Sequence, residues 1–254
     1  GEIYNFASLR DEFASPAEPY RGRSDTEVLL RALARHGADV LPRLDGMYAF
    51  AAFDRAAGRL LLARDPFGEK PLYYVELAGG GLAFASELQA LEGLPGVDLE
   101  VCPDAVAELL MFQYVGAPRT IYRGVRKLPP GQWLVAEAGR APVLGRHFAF
   151  RPGASGFDPR PLPVLADELE SLLSESLRRR LISDVPLGAF LSGGVDSSTV
   201  CALIRGRLGV PLKTYSIGFA DAPESEHETA RAFARHLGTE HHEQVLSPDA
   251  SSFL

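Results

Sequence analysis

From Ser24 to Gly37 the apolar residues fall at helical spacing. Val28, Leu29, Ala32 and Leu33 lie on one side, and Gly37 supplies a stop. Ser24 followed three residues later by Glu27 predicts a capping box at the start of this helix. The rhythm then changes. Met47-Tyr48-Ala49-Phe50-Ala51-Ala52-Phe53 is nearly continuous apolar sequence, Asp54 to Gly58 is polar, and Leu60 to Ala63 is apolar again. Two such runs about a short turn predict a hairpin whose strands are covered on both faces. Leu72–Val75 and Leu82–Ala85, separated by Gly79-Gly80-Gly81, predict a second hairpin, after which Ser86-Glu87 is expected to cap a short helix through Leu91. Two short helices or turns are expected between Pro103 and Tyr114, and a late strand over Gln132–Ala136. Arg151 to Pro163 is dense in Pro and Gly and reads as a linker between domains at 1–150 and 164–254.

Beyond the linker the alternation is of another kind. Strands expected at Gly188–Leu191, Lys213–Phe219 and Glu243–Leu246 are separated by helical stretches from Ser197 to Leu208 and up to Leu237. That order predicts a parallel, doubly wound α/β sheet, in contrast to the α+β, antiparallel first half. Arg178-Arg179-Arg180 reads as the solvated end of a helix. The acidic stretch from Glu224 to Glu228, with His227, reads as a solvated first helical turn. His241 and His242 are adjacent on a strand, so they point to opposite faces and cannot readily chelate one ion.

Composition narrows the class. The 254 residues are 46% hydrophobic with a formal net charge of -7. No window approaches the ~20 continuous apolar residues that span a bilayer, so no membrane partner is expected. Mild acidity argues against non-specific nucleic-acid binding. The two cysteines, Cys102 and Cys201, have neither metal-ligand nor redox spacing, and fit small core positions in a reducing, cytoplasmic protein.

The candidate chemistry lies at Leu191-Ser192-Gly193-Gly194-Val195-Asp196-Ser197-Ser198. Paired glycines between an apolar strand and a helix leave backbone N–H groups free to face an anion, beside the positive end of the helix dipole. Ser192, Ser197 and Ser198 add hydroxyl donors. It is neither a Walker loop nor the dinucleotide fingerprint. The alternative is a tight turn with a serine cap. SGGVDSS resembles the pyrophosphate loop of the N-type ATP pyrophosphatases, which cleave ATP between its α and β phosphates.

Other segments fall in order with it. Gly1-Glu2-Ile3-Tyr4-Asn5, Arg23-Ser24-Asp25-Thr26-Glu27, Leu44 to Phe50, Arg64-Asp65-Pro66-Phe67-Gly68, Lys70 to Tyr74 and Phe84 to Glu87 resemble the class II glutamine amidotransferase domain of glutamine-hydrolysing asparagine synthetases. Asp184 to Gly188, Tyr215 to Phe219 and Leu237 to His242 resemble the first third of that family's synthetase domain. The family's glutaminase nucleophile, an N-terminal cysteine, its carboxylate-clamping arginine and the asparagine of its Asn-Gly-Glu motif are absent from this sequence. Much of the acceptor site is absent too. The chain is therefore expected to be an internal fragment, with an Ntn-type first domain and the N-terminal part of an ATP-binding second one.

The resemblance implies a thiolate attack on the glutamine amide that releases ammonia. It places the Gly1 N–H in the oxyanion hole and Glu2 and Asp25 around the glutamine, Asp25 on its α-amino group; as a chain terminus, Gly1 would be expected to carry an ammonium instead. Asp25 also reads as a helix first-turn acid, worth ~0.3–1 kcal/mol. In the second domain the resemblance implies that ATP binds Leu191 to Ser198, that the main chain at Leu191 and Ile217 flanks the adenine, and that Asp196 meets magnesium with the pyrophosphate. Asp196 equally reads as a helix N-terminal acid. The substrates implied are glutamine, aspartate and ATP, and a homodimer is compatible with the family. Two alternatives stand beside this: a relative that amidates a glycan precursor or closes a β-lactam ring, and a nucleotide-binding pseudoenzyme. Uncovered apolar surface is expected on the second domain, with a tendency to aggregate.

Overall fold

The computed structural model describes residues 1–78, 80–151, 153, 158–219 and 226–247. Its contacts divide into two compact units, Gly1–Ala154 and Ser155–Leu254. Parts of the expected linker and of the Glu224–Glu228 stretch, and Gly79, lie outside the described residues.

The first unit runs β1 (Glu2–Ile3), α1 (Phe6–Glu12), α2 (Asp25–His36), β2 (Gly46–Met47), β3 (Ala49–Asp54), β4 (Arg59–Arg64), β5 (Tyr73–Glu76), β6 (Leu82–Ala85), α3 (Gln89–Glu92), α4 (Pro103–Phe112), β7 (Arg126–Lys127), β8 (Gln132–Glu137) and β9 (Val143–Arg146). All its sheets are antiparallel: β1-β2, β3-β4-β8-β9 and β6-β5-β7. Position in the sheet decides coverage. Leu61, Leu62 and Ala63 of the interior strand β4 are all buried, as the continuous apolar run predicted. β3 is an edge strand, so Ala51 and Phe53 are exposed; the expectation that both strands of this hairpin are covered fails there. One core packs Val28 and Ala32 of α2 with Ile3, Leu9, Phe13, Leu41 and Tyr48; another joins Leu62, Leu72, Tyr74, Leu128 and Leu134.

Three local expectations are corrected. Ser24 is the N-cap of α2, but its hydroxyl accepts from Thr26 N–H (3.0 Å), and Glu27 turns away to the preceding loop, so no reciprocal capping box forms. α3 starts after Leu88 with no side-chain cap, so Ser86-Glu87 does not cap it. A single helix, α4, ending at left-handed Gln113, replaces the two expected near Pro103.

The second unit runs α5 (Leu162–Arg180), β10 (Gly188–Phe190), α6 (Val195–Ala202), a π turn (Leu203–Arg207), β11 (Lys213–Phe219), α7 (His227–Leu237) and β12 (Glu240–Leu246). The sheet order is β10-β11-β12, all parallel, with helical crossovers between the strands as parallel pairing demands. The antiparallel-then-parallel fold class therefore holds. Alternation along β11 buries Thr214, Ser216 and Gly218 and exposes Tyr215, Ile217 and Phe219. Phe190, the register partner of Tyr215, is exposed too, so this sheet carries the uncovered apolar surface that was expected. The buried core joins Leu191, Cys201, Ile204, Leu212, Ala230 and Ala234. His241 turns inward, bonded to Thr214 Oγ1 (2.9 Å) and near Ser216 Oγ (3.3 Å), whereas His242 stacks on Tyr215; the two histidines do face opposite ways.

Candidate functional site

Two places gather the residues singled out from the sequence, one in each unit. In the first unit, β1 pairs with β2 at very close range. A Cβ on Gly46 would lie 2.1 Å from the Glu2 carbonyl oxygen, and one on Gly1 2.6 Å from that of Met47. Glycine is required on both sides of this approach. The same strand meets α2: the Ile3 N–H donates to Asp25 Oδ2 at 2.9 Å. Asp25 Oδ1 accepts only long bonds from the Ser24 (3.3 Å) and Thr26 (3.2 Å) hydroxyls. Gly1, Glu2 and Asp25 are thus brought together at one edge, Gly1 and Glu2 exposed and Asp25 half-buried. One carboxylate oxygen is fixed by backbone, and the other is held by exchangeable hydroxyls.

In the second unit, the turn after β10 sits at the carboxyl end of its strand and opens α6. Leu191 is fully buried, its N–H donating to the Tyr215 carbonyl at 2.8 Å. Gly193 has φ +86°, and a Cβ there would lie 3.0 Å from Ala230 N, the Glu226 carbonyl oxygen and Thr229 Cβ. The N–H groups of Ser192 and Gly194 are held by serine hydroxyls, Ser197 Oγ at 3.2 Å and Ser192 Oγ at 3.3 Å, and the two hydroxyls lie 3.0 Å apart. Such bonds exchange for phosphate oxygens more readily than bonds to carbonyls within a ladder. Ser192, Val195 and Asp196 are exposed, and Ser197 is half-buried. Ser198 differs: it is buried and its hydroxyl has no partner, away from the open side of the turn. Ile217 is exposed on β11, two residues beyond Tyr215. Two clefts, of about 760 and 560 Å³, lie between α2 and the β3–β4 hairpin and along α7 and β12, and neither is lined by residues of the turn.

Sequence reasoning missed the support beneath the turn. The first turn of α7 exposes the Glu226 and Glu228 side chains, as expected, but its backbone also packs against Gly193. His227 packs on Gly218, whose Cβ would fall 2.6 Å from the ring. Both contacts are non-local, and only the glycines hinted at them.

Cys102 and Cys201 are free thiols. Cys201 is buried and its thiol is pushed up by burial, the opposite of what a nucleophile needs. Among the described residues no three His, Cys, Asp or Glu side chains converge to hold a metal ion, and no helix is long and apolar enough to cross a membrane. Asp196 offers one exposed carboxylate, which suits magnesium where substrate phosphates and waters supply the other ligands.

Comparison with known proteins agrees with this division. Residues 1–147 match the family described as glutamine amidotransferase domain, and residues 168–252 match asparagine synthase. A Mycobacterium tuberculosis protein provisionally named asparagine synthetase (glutamine-hydrolyzing) is 39% identical, over 98% of this chain and 39% of its own. Asparagine synthetase (glutamine-hydrolyzing) 1 of Bacillus subtilis is 34% identical, over 98% of this chain and 38% of its own. Asparagine synthetase B of Escherichia coli is 30% identical, over 96% and 40%. The chain spans about two fifths of the length of these relatives. It belongs to the glutamine amidotransferase domain family over its first unit and continues, in its second, into an asparagine synthase domain.

Proposed function

We propose that the protein amidates aspartate to asparagine, with ATP activating the carboxylate and glutamine supplying the ammonia. The observation that carries this is the turn from Leu191 to Ser197: a strand end, a left-handed glycine and two amides held only by serine hydroxyls, opening a helix. Pyrophosphate oxygens would take the places of the Ser192 and Ser197 hydroxyls on those amides and gain the helix dipole. Leu191 and Ile217 would flank the adenine. The aspartate carboxylate attacks the α-phosphorus, pyrophosphate leaves, and ammonia then displaces AMP from the acyl-adenylate. Asp196 would hold magnesium jointly with the phosphates; that ion supplies neutralisation of the leaving pyrophosphate.

In the first unit, Asp25 would hold the α-ammonium of glutamine through Oδ1, with Glu2 and the Gly1 main chain beside the reacting amide. Cys201, buried and with its thiol pushed up by burial, is unsuited to be the nucleophile for glutamine hydrolysis. Two free thiols and the absence of a membrane-crossing helix among the described residues suit a cytoplasmic enzyme.

The test uses the full-length protein with aspartate, glutamine and ATP, measuring asparagine, AMP and pyrophosphate. Asp196→Ala is expected to abolish pyrophosphate release while glutamine hydrolysis persists. Equal loss of both activities would make Asp196 structural. Failure of the unmodified protein to form asparagine while amidating another carboxylate would overturn the acceptor assignment.

A further inference from the structure

The segment that delivers Asp25 is an irregular loop between α1 and α2, yet three side chains hold backbone groups of its last stretch, from Glu18 to Ser24. Glu27, in the first turn of α2, reaches back and accepts the N–H groups of Arg21 (2.9 Å) and Gly22 (2.8 Å). These two bonds hold its carboxyl below the usual glutamate range. Arg31, one turn on, bonds Glu27 at 3.0 Å and donates to the carbonyls of Pro19 (2.7 Å) and Glu18. Arg10, from α1, donates to the carbonyls of Gly22 (2.9 Å) and Ser24 (3.4 Å). The guanidinium groups of Arg10 and Arg31 lie over the Tyr20 ring, 4.5 and 3.9 Å from its centroid.

A loop without ladder bonds is ordinarily free to shift. Here the bonds run from two helices to the backbone on the approach to Asp25, and the Glu27–Arg31 pair is largely shielded from water. That is a large investment in placing one short segment, and α2 is already capped by Ser24 without it. We infer that Glu27, Arg31, Arg10 and Tyr20 form a positioning clamp that fixes Asp25 against Ile3 N–H and so sets the affinity of the amidotransferase unit for the α-ammonium of its amino-acid substrate. The inference rests on the reading of Asp25 given above. It adds that recognition depends on residues that never touch glutamine, because a carboxylate displaced by a fraction of an ångström loses both its backbone donor and its alignment.

The test measures glutamine-dependent and ammonia-dependent activity of the full-length protein side by side. Glu27→Gln cannot accept two charge-assisted bonds, and is expected to raise KM for glutamine roughly tenfold with kcat within about twofold. Ammonia-dependent activity should not change. Tyr20→Ala should act in the same direction, and Tyr20→Phe, which keeps the ring between the guanidiniums, should restore the original KM. Asp25→Asn separates the two levels: an unchanged KM in that variant overturns the glutamine reading itself. A raised KM in Asp25→Asn together with an unchanged KM in Glu27→Gln or, should that variant not fold, in Tyr20→Ala overturns the clamp alone. Parallel loss of glutamine- and ammonia-dependent activity in the clamp variants would mean a general structural role and would also overturn it.

Discussion

Arg64 should be a strongly stabilising polar side chain of the first unit. Its guanidinium donates to three carbonyls: Nε to Lys70 at 2.7 Å, Nη1 to Leu128 at 2.8 Å and Nη2 to Gly68 at 2.8 Å. These lie on two separate loops, which the fork ties to the end of β4. Arg64→Met keeps the aliphatic stem and removes all three donors. Leu128 is fully buried, so its carbonyl would lose its partner without access to water, at about 1–3 kcal/mol. Lys70 and Gly68 are half-exposed and would be partly rehydrated. A total loss of about 2–4 kcal/mol follows, or a urea midpoint lower by ~1–2 M for a slope of ~2 kcal/mol/M. Trp133 on β8 is the chain's single tryptophan and packs against the first core, so its fluorescence reports the unfolding of this unit. Arg64→Lys, a point charge in place of a fork, should fall in between. An unfolding free energy for Arg64→Met within ~0.5 kcal/mol of the original would refute the reasoning, because it would mean that three bonds, one of them to a buried carbonyl, contribute nothing.

Three further outcomes are expected. His147 donates through Nε2 to the Arg64 carbonyl (2.9 Å), its Nδ1 is buried without a partner, and burial holds its pKa below the usual imidazole value. The unfolded chain then binds the proton more readily, so this stability is full above the ordinary histidine range and is lost as pH falls through the depressed value; the Trp133 midpoint should drop between about pH 7 and pH 5, less steeply in His147→Gln. Gly145→Ala would place a Cβ 2.1 Å from Trp133 Cζ2, and should shift the emission and destabilise by about 1–3 kcal/mol, with an unchanged spectrum counting against the packing described. Gly193→Ala in the full-length protein should weaken ATP binding without altering glutamine hydrolysis, since a φ of +86° is strained for alanine and its Cβ would press on the α7 backbone at 3.0 Å; calorimetric titration with ATP checks it.

What the sequence by itself determined are the features governed by neighbours along the chain. The helix from Asp25, the β5–β6 hairpin, the strand Lys213–Phe219 and the glycine turn before α6 were all legible, because periodicity, punctuation by glycine and helix capping are local. Ordered motifs likewise carried the family. What only tertiary structure decided is which partner each local feature meets. Met47 to Phe53 and Leu60 to Ala63 look alike as apolar runs, but the first ends in the edge strand β3, which leaves Ala51 and Phe53 exposed, whereas Leu61 to Ala63 are buried on the interior strand β4. Glu27 stands at the spacing of a capping box, but a loop folded back from α1 offered its N–H groups nearer than the helix did. Ser198 stands among the candidate phosphate ligands, but the first turn of its helix carries it into the interior. Short strands such as β1, β2 and β7 have no period to read; they exist because a distant segment supplies their hydrogen bonds.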